Sequence, residues 1–405
     1  MGVSFFFLSG DTRFLGSSSL RPADEASSLR LIPARPAGEP VSFSGRDFSL
    51  TDQGLSMVLM GPAWMAGAEA GVNSAGVAIA QSSVYSRFKA AADGVPGADL
   101  LRAALMASAC AEEARDALIM LTETMDQGWR DPYTRDKPSS SSYLITAADG
   151  SYLLETAGRR WAWSNVAERA ALSGAYTLGV DYKRVDADTR KAIAPVNERM
   201  ACLDESDAGR IAKKEAWKRY VEGRLPMSVK KAEGLGKAIL SVLPSAAEGG
   251  RQAAFALLRA HGLSTEDSPK RGVDVCPHVG WPQKTSATGS LLVERTGNRL
   301  IVWFTAAPWP CRNLYKPIVL TSGAFTPLWT GCPFDEGNAQ AEDYWRSRKL
   351  HAPAGMNSEA LDVAKAQAEV NQITDDYAEG RVELEAARIS LCARVKRWDS
   401  GESSD

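Results

Sequence analysis

The 405-residue sequence predicts an α+β layered domain, and three observations predict it. Extended apolar stretches and two hairpins account for the strands. Helical periodicity is gathered into separate blocks instead of alternating with strands, which argues against a strict βαβ succession. The composition, 44% hydrophobic and 24% charged, is that of an ordinary globular chain able to bury a core.

The elements follow in order. Ser4 to Leu8 is a short apolar run suited to a buried strand, and Val41 to Leu50 is a second extended candidate. Gly76 to Ala80 continues the β-type pattern. Between Gly97 and Thr124, Leu100, Leu101, Ala104, Leu105, Leu118, Ile119 and Leu121 recur at helical spacing, with a break near Ser108 that predicts two helices. Lys137 to Ser142 reads as a flexible loop. Tyr143 to Ala147 and Tyr152 to Thr156 flank Asp149-Gly150, a favoured tight-turn dipeptide, and so form a hairpin. Helical sequence fills Asp207 to Gly262. A second hairpin joins Ser290 to Arg295 with Arg299 to Thr305 around Gly297. Ser358 to Trp398 is one long helical candidate interrupted at Gly380, either packed on the domain or offered to a partner.

Charge and composition exclude several classes of function. Lys and Arg number 47 against 49 Asp and Glu, a net charge of −2, so a nucleic-acid partner is not expected. Lys213, Lys214, Lys218, Arg219, Lys230 and Lys231 read as a solvated helix face, without interleaved aromatics for base stacking. No run approaches the length of a membrane span. The opening residues lack a secretory pattern, and Phe6 stands where a myristoylation motif needs Ser or Thr. Six cysteines, Cys110, Cys202, Cys276, Cys311, Cys332 and Cys392, are scattered without a CxxC pair, so reduced thiols in an intracellular, cytoplasmic protein are expected. Three histidines, His261, His278 and His351, form neither HxH nor HExxH; neither a metal site nor a cofactor is expected.

Four segments carry a more specific signal. They are Arg21-Pro22-Ala23-Asp24-Glu25; Trp64 to Ile79, with Gly67-Ala68-Glu69, Gly71, Asn73 and Gly76 at its centre; Leu154-Glu155-Thr156-Ala157-Gly158-Arg159-Arg160-Trp161-Ala162; and Cys276-Pro277-His278 followed by Thr285 to Ser290, Trp303-Phe304-Thr305 and Cys311 to Pro317. In order and spacing they resemble the secernin and C69 dipeptidase family, a branch of the N-terminal-nucleophile hydrolases. The resemblance runs from about residue 2 to residue 320. It implies an αββα sandwich over residues 1–335, with a helical insertion at about 207–262 and a C-terminal helical extension at 336–405.

The resemblance also implies a chemistry. In the family a mature N-terminal cysteine attacks an amide carbonyl, and its own α-amine serves as the base. Gly2 stands at that position here and has no attacking atom. Ser17 replaces a cationic residue, Leu20 an aspartate, Gln81 an oxyanion-binding asparagine and Gly174 a second asparagine. The losses fall on the family's site and spare its frame. The expectation is a dismantled hydrolytic site in a non-catalytic binding or scaffold protein, with a protein partner or a peptide or small amide in the vestigial pocket. The alternative is an active dipeptidase or amidohydrolase with a replacement nucleophile. For that role Ser4 is weighed against a plain strand serine, and Cys276 beside His278 against a packed core pair. Arg21 and Asn73 are weak binding candidates, and Arg21 with Glu25 reads rather as a structural polar pair.

Overall fold

The computed structural model describes residues 2–22, 25–36, 41–43, 45–48, 54–88, 90–91, 94–128, 139–201, 216–222, 227–244, 249–263, 274–278, 285–305, 308–329 and 359–400. Two sheets dominate. The seven-stranded sheet runs β12 (Arg169–Leu172), β1 (Gly2–Ser9), β2 (Thr12–Pro22), β14 (Thr285–Thr296), β15 (Arg299–Thr305), β16 (Lys316–Thr321), β17 (Ala324–Pro327). The eight-stranded sheet runs β13 (Arg184–Val185), β11 (Arg160–Asn165), β10 (Ser151–Ala157), β9 (Ser140–Thr146), β8 (Ala78–Val84), β7 (Ala70–Asn73), β6 (Met57–Pro62), β3 (Ser27–Ile32). Each strand pairing within these two sheets is antiparallel. A small hairpin, β4 (Val41–Phe43) with β5 (Arg46–Phe48), occupies the second extended candidate.

Strand alternation builds three cores from these sheets. Phe6 and Leu15 of the first sheet meet Leu29, Val58, Val72, Ala80 and Leu144 of the second in the central core. The opposite faces of β1 and β2 send Val3, Phe5, Phe7, Phe14 and Leu20 into an outer core. That core is roofed by α5 (Met227–Val242), α6 (Arg251–Leu258), α7 (Glu359–Ala378) and α8 (Leu384–Ser400). On the far side, α1 (Gly97–Ala107) and α2 (Ala111–Thr124) cover Met57, Leu59, Ile79, Tyr143, Ile145 and Leu154. The order is therefore helix, sheet, sheet, helix, the expected αββα sandwich. β1 is buried on both faces, which is why its sequence is a continuous apolar run instead of an alternating one.

Several sequence expectations are met and others need correction. The helices break at Ser108, the C-cap of α1, and both hairpins form where predicted. The tail folds as two helices separated by Gly380 at φ +72°, and both pack on the domain. The supposed loop at Lys137 to Ser142 is strand from Ser140 onward: β9 pairs with both β8 and β10, and its serines are buried. Lys137 itself lies outside the described residues. Helix α3 (Ala187–Ala201), which runs through Pro195, was not among the sequence expectations. Its start was legible, since Asp186 accepts from the Thr189 amide at 2.9 Å as an N-cap. Of the basic residues near the insertion, Lys218 pairs with Glu233 at 3.0 Å and Lys230 and Lys231 are exposed, while positions 213 and 214 lie outside the described residues. So do Cys202, Cys332 and His351. No helix among the described residues is long and apolar enough to cross a membrane.

Candidate functional site

Gly2 lies at the head of β1, opposite Ser19 of β2 and buried between the sheets. A Cβ placed on it would stand 3.3 Å from the Ser18 carbonyl oxygen and 3.5 Å from that of Gln81. Backbone from both sheets therefore closes around the position where the resemblance puts the nucleophile. Ser82 of β8 donates to the Gly2 carbonyl at 2.8 Å. Ser4, on the same face, donates to Ser17 at 3.1 Å, and both are buried. Ser142, directly opposite Ser82 on β9, is buried, and its hydroxyl has no hydrogen-bond partner among the described residues. Where the resemblance expects a cation, Ser17 carries a neutral hydroxyl.

A charged group remains beside this seam. Ser19 donates to Glu69, and Arg21 binds the same carboxylate through Nε at 3.0 Å and a terminal nitrogen at 2.6 Å. Arg21 also reaches Glu25 at 3.8 Å and lies over the Trp64 ring, while Trp64 Nε1 donates to Glu25 at 2.6 Å. Burial pushes the Glu69 carboxyl up, but Arg21 and Ser19 more than offset it and hold it below the ordinary value. Arg21 thus forms the polar pair with Glu25, yet its closer partner is Glu69. That residue belongs to the Gly67-Ala68-Glu69 motif, and the sequence reading gave it no role of its own.

The structure does not gather all the expected site residues. Gly174 follows β12, extending its register toward Gly2, and adopts φ +86°. Glycine and asparagine are the residues that enter this region most readily, so the backbone survives without an amide side chain. Leu20 turns the other way, into the outer core under α5 and α6. Gln81 shares the face of its cross-strand partner Tyr143, whose hydroxyl donates to the Gly97 carbonyl at the start of α1. Its side chain departs toward the helices, its carbonyl lies against Gly2, and its Oε1 is buried without a partner among the described residues. The expected convergence of positions 2, 17, 20, 81 and 174 is corrected for Leu20 and Gln81, because neighbouring strand residues point to opposite faces.

Three motif residues have structural roles. Asn73 donates to the Leu105 and Ser108 carbonyls at 2.8 and 2.7 Å and accepts from Ala75 and Val77 at 3.1 and 3.0 Å. Its amide is saturated while it caps α1. Glu155 accepts from Thr177 N, Thr177 Oγ1, Leu178 N and Trp217 Nε1, tying the segment after Gly174 to α4 (Ala216–Glu222). Burial pushes its carboxyl up to about 7 against these donors. Gly289 lets the two sheets meet, since a Cβ there would stand 2.7 Å from Ser27 Cβ.

A second cluster lies apart from Gly2, at the edge of the outer core. Cys276 is buried in that core, and His278 Nε2 lies 3.9 Å from its sulfur. The nearer sulfur belongs to Cys311, 3.1 Å from His278 Nε2. His261 joins them, with its ring centroid 4.7 Å from that of His278. One ligand atom from each of the four falls within 4.8 Å of the others, so this set could hold a metal ion. Burial pushes the Cys276 thiol well up, whereas hydrogen bonding from Cys276, His261 and His278 draws the Cys311 thiol far down. The sequence reading singled out Cys276 with His278 but missed His261 and Cys311. It also expected no metal site, because it looked for ligands at contiguous spacing. The one available signal was the Cys311-to-Pro317 match, which the hydrolase chemistry left without a role.

No family model matches the chain. Among solved structures, the chain is similar to a mutant conjugated bile acid hydrolase from Clostridium perfringens, at 12% identity and a TM-score of 0.40, over 79% of this chain and 92% of that one. A second variant of that hydrolase gives 10% identity and 0.37, over 78% and 92%. A Caenorhabditis elegans ortholog of N-acylethanolamine-hydrolyzing acid amidase gives 11% identity and 0.23, over 52% and 83%.

Proposed function

We propose that this chain is a non-catalytic relative of the secernin and C69 dipeptidases, using an amide-hydrolase frame to bind a protein partner in the reduced interior of the cell. One observation carries the reading. The position that should hold the attacking atom is Gly2, and the backbone carbonyls of Ser18 and Gln81 close against it. An amide hydrolase needs a nucleophile, a base and donors aimed at the developing oxyanion. Around Gly2 the neighbouring side chains are the buried serines 4, 17, 19 and 82, with the Glu69–Arg21 pair one hydrogen bond beyond Ser19. The replacement nucleophiles fare poorly. Ser4 is fully buried and spends its hydroxyl on Ser17. Cys276 is buried with its thiol held protonated.

The test is incubation of the purified protein with a dipeptide panel and a penicillin V-type amide. No turnover is expected. Hydrolysis that disappears in a Ser17 or Ser82 variant would overturn the reading and restore an active hydrolase with an altered nucleophile. A second reading, a small polar ligand in the vestigial pocket, draws support from the unpartnered hydroxyl of Ser142. It requires peptides or amino acids to raise the Tm with concentration.

A further inference from the structure

We propose that His261, Cys276, His278 and Cys311 form a closed, tetrahedral structural site for zinc(II). The inference is independent of the reading of Gly2. Two thiolates and two imidazoles are the donor set that borderline-soft zinc prefers, and together they neutralise the dication. Zinc–sulfur bonds of about 2.3 Å and zinc–nitrogen bonds of about 2.0–2.1 Å imply ligand separations of roughly 3.3–3.8 Å around a tetrahedron. The His278–Cys311 and Cys276–His278 separations, 3.1 and 3.9 Å, bracket that range, and no pair exceeds 4.8 Å. Closing on an ion needs movements on the order of 1 Å, within the reach of side-chain rotation.

The surroundings hold the ligands in place. His261 lies just beyond α6, Cys276 and His278 precede β14, and Cys311 sits in a short 3-10 turn, Pro310–Arg312. Three segments distant in sequence are thus joined by backbone as well as by the cluster. Cys276 N donates to the Ala260 carbonyl at 3.2 Å, Ala287 N to Pro277 at 3.0 Å, and Trp309 N to Ala287 at 2.9 Å. Asp274 accepts from Gly262 N at 2.5 Å and from Val275 N at 2.9 Å, which ties the His261 loop to the Cys276 strand. Arg259 braces the turn through the Pro310 and Asn313 carbonyls at 3.2 and 3.0 Å. The His278 ring stacks on Trp309 at 4.9 Å, and Trp309 holds φ +64° to lead the chain into the turn that carries Cys311. Outer groups of this kind orient metal ligands and tune affinity.

With four protein ligands no coordination position is open for water, so the ion staples instead of catalysing. It would bind the exit of α6, the approach to β14 and the turn after β15 into one unit.

The experiment uses the full chain, purified reduced and without a metal-binding tag, then stripped and titrated with zinc alone. One zinc per chain is expected, and chelation should lower the Tm. Cobalt(II) in its place should show the strong visible bands of a tetrahedral ion with thiolate charge transfer. Cys311→Ser should lose stoichiometric binding. His261→Ala removes an exposed ligand with little risk to folding and should weaken zinc at least about 10-fold. Cys110→Ser, whose sulfur caps α2 elsewhere, should bind as the parent does. Absence of stoichiometric zinc in the reduced chain, equal binding by the Cys311 and His261 variants, or a Cys276–Cys311 disulfide in the chain isolated without reductant would each overturn the proposal.

Discussion

The seam at Gly2 and the cluster at Cys311 divide the molecule's chemistry unequally. The seam lies between the sheets, where the resemblance places a nucleophile, and presents serine hydroxyls paired with one another, with backbone and, at Ser19, with Glu69. The cluster lies at the margin of the outer core, where the resemblance assigns no reaction, and gathers two thiols and two imidazoles. On the proposed reading, a frame can persist without the chemistry of its site. Gly289, Asn73 and Glu155 still do what the sandwich requires of them, while Gly2 cannot do what the site would require.

The comparison is broken most severely at Glu69. If the seam is structural, Glu69→Ala removes the nearer carboxylate from the buried Arg21, leaving Glu25 at 3.8 Å, and should cost about 3 kcal/mol in denaturant unfolding. The same pair predicts an acid limb. The Glu69 carboxyl is depressed, so its contribution is present above its unfolded value of 4.5 and is lost as pH falls through the lower folded value. A parent-like stability for the alanine variant would show that the group is not part of the frame.

Glu155 sharpens the contrast from the other direction. Its carboxyl is raised from 4.5 to about 7, so the folded state holds its proton more tightly than the unfolded chain does. Its contribution is full below pH 4.5 and is lost as pH rises to about 7, a change on the order of 3 kcal/mol. Glu155→Gln should flatten that slope. Stability profiles of parent and variant that run parallel between those limits would contradict the assignment.

Gly2→Cys asks whether one atom restores the site. Its Cβ fits tightly against Ser18, so a cost of about 1–3 kcal/mol is expected. No amide hydrolysis should appear, because Leu20 and Gln81 turn away and Ser17 carries no charge. Turnover by this variant would mean that the seam retains more machinery than its hydroxyls suggest. The smallest effect is expected at Ser4→Ala, which deletes one buried hydroxyl and its bond to Ser17 for about 1 kcal/mol. A much larger loss would give Ser4 a role beyond packing.

Much of the frame was legible in the sequence because local chemistry dictates it. Asp149-Gly150 and Gly297 announce hairpins, Ser108 splits two helices, and Gly380 ends a third. Face assignment was not legible at the site. A motif match places Leu20 and Gln81 along the chain but says nothing of strand parity, and a step of one residue reverses the face. Nor could spacing reveal the cluster, because the chain must complete α6 and then a β14–β15 hairpin before His261 meets Cys311. Helix α3 was left unassigned in the sequence, although Asp186 is an N-cap residue that begins it.

The two C-terminal helices are no detachable appendage. Ala366, Val370 and Leu391 pack with Phe255, Trp303 and Tyr315, and Arg251 clasps Asp375 of α7 at 2.7 Å while holding Glu294 of β14. A product shortened before residue 359 would lay bare this aromatic floor and leave a guanidinium with half its anions. Such a product should self-associate or be degraded. Any cut at this end of the gene therefore acts on solubility before it acts on recognition.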